Sequence, residues 1–538
     1  MSRWPFHKRF DALQLRRCVP FVLVALSVLP HAQAAAPANT LRIGNGPEPE
    51  TLDPHRTEGV SAGNIVRDLY EGLTAIGADG QAIPAAARRW SLSEDGLTYT
   101  FELHEALRWS NGEPLTAQDF VAGLQRSLTP ATGSNVAQML RQIRGAAAVI
   151  DGSAAPATLA VTAPDPQHVV ITLDQPLPAF PGMLTHPSAF PVYGGAQASR
   201  VNARDDTLVS NGAYRLKRWV MQSHVELERN PSYREAARVA IEHVRYVTTE
   251  DIHSEYKRYR AGDLDVTYDI PLPQLKQIRS EYGEQLKIAP YLGLYFYGLN
   301  VTRAPLAAQA DLRKALSMVI DREIIARKVL NGLALPAYSW IPPGTANSAA
   351  QQPEWAAWPY ARRLDAARKL YEKAGYSANR PLQIQIRYNT HESHRRVATV
   401  VAAMWKQTLG LQTEFLNEEF KVFLHNRKQR EKTQVYRAAW MADYNDPTSF
   451  LDILRSAHGK NDTGWSDPAY DAALDLAQQT VDPVQRAALL AHAEQRLFAE
   501  TPAIPVYFYV SKHLVSPRVH GWTDNVLDYH YSRDLSLR

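Results

Sequence analysis

Arg437 and Asp443 stand six residues apart in RAAWMADYNDPTSF (437–450), a stretch whose opening otherwise reads as an apolar strand. If residues 437–443 are extended, both side chains share parity and point to one face. At roughly 3.3 Å per residue their backbones lie about 20 Å apart. A zwitterionic peptide of a few residues, lying extended, holds its ammonium and carboxylate at a similar or slightly smaller separation. Asp443 could then take the ammonium and Arg437 the carboxylate, with main-chain hydrogen bonds indifferent to sequence between them. The commoner arrangement also stands at this point: each charge pairs with a nearby residue of opposite sign.

Two other groupings have the right residue types for catalysis. Gly59-Val60-Ser61-Ala62-Gly63 matches the G-x-S-x-G pattern of serine hydrolases. That chemistry needs a buried strand before the serine and a helix after it. The preceding PETLDPHRTE is polar and contains prolines, so Ser61 reads as a loop or helix-cap residue. His391 and His394 in HESH are spaced i, i+3 rather than the i, i+4 of the zinc motif H-E-x-x-H. Neither phosphate-cradling glycine loop, G-x-x-x-x-G-K or G-x-G-x-x-G, is present. The sequence offers no persuasive enzyme, and neither a cofactor nor a metal is expected.

The elements that must position the charged stretch belong to a large chain. At 538 residues it can build two or three domains. With 45% apolar and 21% charged residues it is neither disordered nor fibrous. Residues 1–34 differ from the rest: Arg3, Lys8, Arg9, Arg16 and Arg17 precede VPFVLVALSVL, and Ala32-Gln33-Ala34 follows. This is the pattern of a secretory signal cleaved after Ala34. Its apolar run is too short to span a bilayer, which needs roughly 20 residues. Five of the 59 Lys and Arg and one of the 55 Asp and Glu lie in that leader, leaving 54 of each sign. A neutral body offers nucleic acid or an anionic membrane no electrostatic footing. Cys18, the only cysteine, falls inside the leader ahead of most of the apolar run, so the mature chain has neither disulfide nor lipidated N-terminus.

Strand-like and helix-like patterns intermix beyond the leader. TLRIGNG, LTYTFELH, HVVITLDQPL, PLQIQIRYNT, LQTEFLNEEF and AIPVYFYV read as strands, and NGAYRLKRWVMQSHVELERN as a turn with two more. GNIVRDLYEGLTAI reads as a helix with Ile65, Leu69 and Leu73 on one stripe. Thr116 caps a helix over TAQDFVAGLQRSL, with Asp119 three residues on. Further helices are AQADLRKALSMVIDREIIARKVL stopped by Gly332, LDAARKLYEKA stopped by Gly375, HRRVATVVAAMWKQTL and DPVQRAALLAHAEQRLFAE. The fold class is α/β, in more than one lobe.

ETLDPHRTEGVSAGNIVRDLYEGL, LRWSNGEPLTAQDFV, SNGAYRLKRWV and AAWMADYNDPTSF follow one another in this order. Together they resemble the periplasmic oligopeptide-binding proteins of bacterial ABC importers, of the peptide/nickel class of solute-binding proteins, and the resemblance covers essentially the whole mature chain. It implies a monomeric, two-lobed, three-domain periplasmic binding protein with an interlobe ligand cleft. Domain I would comprise 35–70, 194–292 and 511–538, domain II 71–193 and domain III 293–510. The implied partners are short peptides, held as an added strand, and an inner-membrane ABC permease.

Residue by residue, the resemblance makes Asp443 the ammonium partner and Arg437 a partner for the carboxylate of a short peptide. His394 would serve longer ligands. Glu58 and Val60 match a stretch touching ligand near the lobe junction, and Ala439, Trp440 and Met441 the strand beside the peptide. Trp440 is the expected aromatic pocket wall, or else core. Arg427, Asn389 and Tyr509 are further lining candidates, the first two with a solvated role as alternative and Tyr509 with core packing. The chain departs from the family pattern where Leu330 replaces a lysine and Gly298 a glutamate, where a pocket tyrosine is replaced near Val136, and where Gly293 and Met441 replace a disulfide pair. These departures leave peptide length and side-chain preference open, including a murein tripeptide. Retention of Asp443 argues against ligands without a free amine.

Overall fold

The computed structural model describes residues 39–57, 59–134, 136–195 and 207–538. The leader expected in 1–34, Glu58, and part of the expected domain I (196–206) lie outside the described residues.

Among the described residues, three larger sheets organise the chain. One runs in the order Thr40–Gly44, His243–Val247, His224–Arg229, Tyr214–Val220, its first pair parallel and the rest antiparallel. A second, all antiparallel, runs Ala87–Leu92, Thr98–Leu103, His168–Thr172, Val161–Asp165. The third is the largest and mixed: Leu335–Pro336, Ala503–Leu514, Leu286–Leu299, Val435–Met441, Gln383–Asn389, Gln412–Glu418. One of its two parallel pairs, Gln383–Asn389 with Gln412–Glu418, is joined by helix Glu392–Leu409, the crossover that parallel strands require.

Local signals explain most of these elements. Thr98–Leu103 alternates half-buried and buried residues, with Tyr99, Phe101 and Leu103 turned into the core. Ahead of helix Ala117–Leu128, the Asp119 carboxylate accepts the Thr116 backbone N–H at 2.8 Å, completing the expected cap. Helix Glu392–Leu409 stops at Gly410, whose φ of 72° admits a left-handed C-terminal residue.

Two expectations needed correction. Helix Val60–Leu69 ends before Leu73, because Tyr70 is extended and Gly72 brings the backbone against Phe190. A Cβ at Gly72 would lie 2.6 Å from the Phe190 ring, so the chain turns away there. Ile65 and Leu69 therefore pack in one core and Leu73 in another. The second is strand Leu286–Leu299, which the sequence reading missed. Residues 292–299 are all buried, so they show no period-2 alternation to betray a strand. No helix among the described residues is long and apolar enough to cross a membrane.

Candidate functional site

Strand Val435–Met441 lies inside the large sheet, antiparallel to Leu286–Leu299 along its whole length. On its other side Gln383–Asn389 pairs only with Val435 and Tyr436. From Arg437 to Met441 that edge has no ladder partner among the described residues, so alternate backbone groups there face away from the sheet unpaired by a strand.

Arg437 emerges at the start of this open edge. Its guanidinium donates to Asn389 Oδ1 and to the Tyr509 hydroxyl, both at 3.3 Å, and sits 5.3 Å from the Tyr295 ring centre. Burial works against its charge, but the phenols of Tyr509, Tyr295 and Tyr507 outweigh it and hold the cation. No carboxylate of the described residues lies within 4.0 Å of it, and its Nε has no hydrogen-bond partner. Asn389 ends strand Gln383–Asn389 and Tyr509 belongs to Ala503–Leu514, so three strands converge on one guanidinium.

Asp443 follows the strand by two residues. Its backbone N–H donates to Ser449 Oγ at 3.1 Å, while its carboxylate has neither ion pair nor hydrogen bond among the described residues. Burial pushes its pKa up to about 6, with Lys460 acting the other way from beyond ion-pair distance. Asp446, three residues on, is its opposite. Both Asp446 oxygens are held by Arg486 at 2.8 Å, and Oδ1 also accepts from the Thr448 hydroxyl at 2.7 Å. Within one short loop, one carboxylate is fully committed to the fold and the other is not.

The remaining candidates divide. His394, in the first turn of helix Glu392–Leu409, is buried with its ring 5.7 Å from Tyr295 and 4.8 Å from His391. Burial first, then Arg437 and His391, push its pKa down to about 2, so it is a neutral imidazole, and its Nδ1 has no partner among the described residues. Ala439, Trp440 and Met441 are half-buried on the open-edged strand. Trp440 packs against one apolar core, yet its indole N–H is buried without a partner among the described residues. Arg427 turns to Asp462, 2.6 Å away, with its side chain 15% exposed. It is thus a structural ion pair and lies outside the group around Arg437. Val60, 46% exposed, opens helix Val60–Leu69.

Several departures from the family pattern acquire a physical account. Gly293 and Met441 are direct cross-strand neighbours, and a Cβ on Gly293 would collide with the Met441 sulfur. Gly298 faces Tyr436, whose phenol fills the space a side chain would need. Leu330 is buried in the core behind the sheet. Sequence reasoning missed Tyr295 and Tyr507, stacked at 4.5 Å, because they lie on strands whose pairing only the fold reveals. A cavity of about 410 Å³ adjoins the Asp443 loop, lined among others by Trp90, Tyr99, Tyr444 and Asn445; neither Arg437 nor Asp443 borders it.

The catalytic groupings fail on geometry. Ser61 lies in the first turn of helix Val60–Leu69, after turns rather than a strand. His391 and His394 gather no third metal-capable side chain among the described residues.

Comparison with known proteins gives the family of the chain as a whole. The model of the bacterial extracellular solute-binding proteins, family 5 (middle region), matches residues 81–462. The periplasmic oligopeptide-binding protein OppA of Salmonella typhimurium is 37% identical, over 95% of this chain and 94% of its own. The probable deoxycholate-binding periplasmic protein YgiS of Escherichia coli is 36% identical, over 96% of this chain and 98% of its own. Among solved structures, the murein tripeptide binding protein MppA of Escherichia coli superposes with a TM-score of 0.82 at 33% identity, covering 93% of this chain and 98% of that one.

Proposed function

The chain belongs to the bacterial extracellular solute-binding proteins of family 5, and on that premise we propose that it captures short peptides as an extended strand between two lobes. It then delivers them to an ABC permease, acts in the periplasm as a monomer, and has no catalytic activity of its own. One observation carries this reading: a guanidinium and a carboxylate, neither paired with an opposite charge among the described residues, mark the two ends of an open strand edge. Buried charges are normally paired, so an unpaired anion and cation flanking free backbone groups fit a zwitterion with a peptide backbone between. The ligand ammonium would meet Asp443 and its carboxylate Arg437, with charge-assisted hydrogen bonds at both ends. The Ala439–Met441 backbone would supply the ladder between them by strand addition.

The three larger sheets support the expected division into domains I, II and III, with Leu286–Leu299 and Ala503–Leu514 crossing between domains I and III. The likeness to the murein tripeptide binding protein, together with an apolar Leu330, favours ligands short enough to end at Arg437. A murein tripeptide is therefore the second reading. A bile-acid ligand, as in the name of YgiS, would leave Asp443 without a cation.

Calorimetry with tri- to pentapeptides, free and N-acetylated, tests the proposal. Tight binding of free peptides and weak binding of acetylated ones is expected; equal affinity for both would refute the ammonium contact. Mass spectrometry of peptides incubated with the protein should show no cleavage products.

A further inference from the structure

The C-terminal segment brings two histidines and an aspartate together beside strand Ala503–Leu514. His513 Nε2 lies 3.0 Å from Asp528 Oδ1, and His530 Nε2 lies 3.1 Å from the same oxygen. The potential ligand atoms of the three all fall within 4.8 Å of one another, and no other described residues form such a group. His513 is buried and the other two are half-buried, so the cluster is within reach of solvent.

Each member is oriented from outside the cluster. His513 Nδ1 stands 2.8 Å from the Thr267 carbonyl oxygen. A carbonyl can only accept, so Nδ1 carries the proton and Nε2 is the atom presented to Asp528. A histidine backed by a carbonyl in this way is the outer-shell arrangement found behind metal-binding imidazoles. His530 is clamped flat against Trp522, ring centres 3.6 Å apart and 18° from parallel. Asp528 has a φ of 58°, a left-handed conformation that costs a non-glycine residue energy. The Asn525 side chain holds that turn by accepting from the Leu527 and Tyr529 backbone N–H groups, each at 3.2 Å.

We propose that His513 Nε2, the Asp528 carboxylate and His530 Nε2 form a three-ligand site for a divalent transition-metal cation, of which Zn²⁺ is the best match. Two imidazoles and one carboxylate suit Zn²⁺ and its neighbours, whereas Ca²⁺ and Mg²⁺ seek mostly oxygen. Without a cation both Nε2–H groups donate to the Asp528 carboxylate, so a metal takes the place of those two protons, which are released to solvent. The site joins strand Ala503–Leu514 to the segment around Asp528, and the Val526 carbonyl already accepts from Leu292 N at 2.8 Å. A bound cation therefore pins the C-terminal segment to the two long strands of the large sheet.

The test titrates Zn²⁺ alone into the tag-free, chelator-treated mature chain by calorimetry. One equivalent per chain and a raised melting temperature are expected. Asp528→Asn and His530→Gln should each weaken binding by more than the roughly 10–100-fold typical of losing an outer-shell partner. Co²⁺ substitution provides a readout that needs no variant: the intense visible absorption of a low-symmetry nitrogen and oxygen site is expected. Absence of stoichiometric binding, a weak octahedral Co²⁺ spectrum, or full affinity in both variants would overturn the proposal.

Discussion

Asp443 and Asp446 show how little residue type alone says. Both are aspartates in one loop, yet Arg486 neutralises one and burial leaves the other charged at a cost. Asp443→Asn should cost about 2–5 kcal/mol of affinity for free-amine peptides, because it removes one partner of a desolvated charge pair. Calorimetry measures that loss, and N-acetylated peptides should bind both proteins alike. The same side chain sets a pH dependence. Its pKa of about 6 in the ligand-free fold lies above the ordinary aspartate value, so the folded state takes up a proton before the unfolded chain does. Ligand-free stability therefore rises as pH falls through about 6 and levels off below the unfolded aspartate range. Peptide affinity moves the other way, falling below about pH 6, since a protonated carboxyl cannot hold an ammonium. Affinity titrations from pH 8 to 4 should show this slope in the wild type and a flatter one in Asp443→Asn. His394 contributes no comparable step, being neutral throughout that range.

At the scale of elements, pairing decides function. Strand Val435–Met441 keeps a free edge because Gln383–Asn389 leaves it after Tyr436. Buried charges elsewhere tie elements together. Asp53, in the LDPH block, is gripped by both terminal nitrogens of Arg126, at 3.0 and 2.7 Å, with each side chain 3% exposed. That bond fastens the loop before helix Val60–Leu69 to helix Ala117–Leu128. Asp53→Asn removes the charged partner of that buried bidentate ion pair and should destabilise the fold by about 3–5 kcal/mol in urea unfolding. Peptide contacts at Arg437 and Asp443 should be unaffected in the folded fraction. The block was legible in the sequence as a family signature, but its role as an interelement clasp was not, because Arg126 lies 73 residues away.

For the whole molecule, binding and stability are one measurement. A peptide that engages only the folded chain should stabilise it by about 2.7 kcal/mol at a hundredfold excess over its Kd. Scanning calorimetry should show this as a raised melting temperature that vanishes with N-acetylated peptide. The amino-acid sequence by itself determined the parts whose signals are local: capped helices, alternating strands, and the ordered blocks that mark the family. The strand stops at Met441, so the parity expected for an extended 437–443 does not reach Asp443. Only the tertiary structure decided whether the charges of Arg437 and Asp443 were spent. Their possible partners come from distant chain: Asn389 and Tyr509 reach Arg437 across 48 and 72 residues, and Thr267 orients His513 across 246. Likewise the eight buried residues from Leu292 to Leu299 look like any apolar run until neighbours on both sides make them a strand. Periodicity reports which way a side chain points, whereas pairing depends on what the rest of the chain places opposite it.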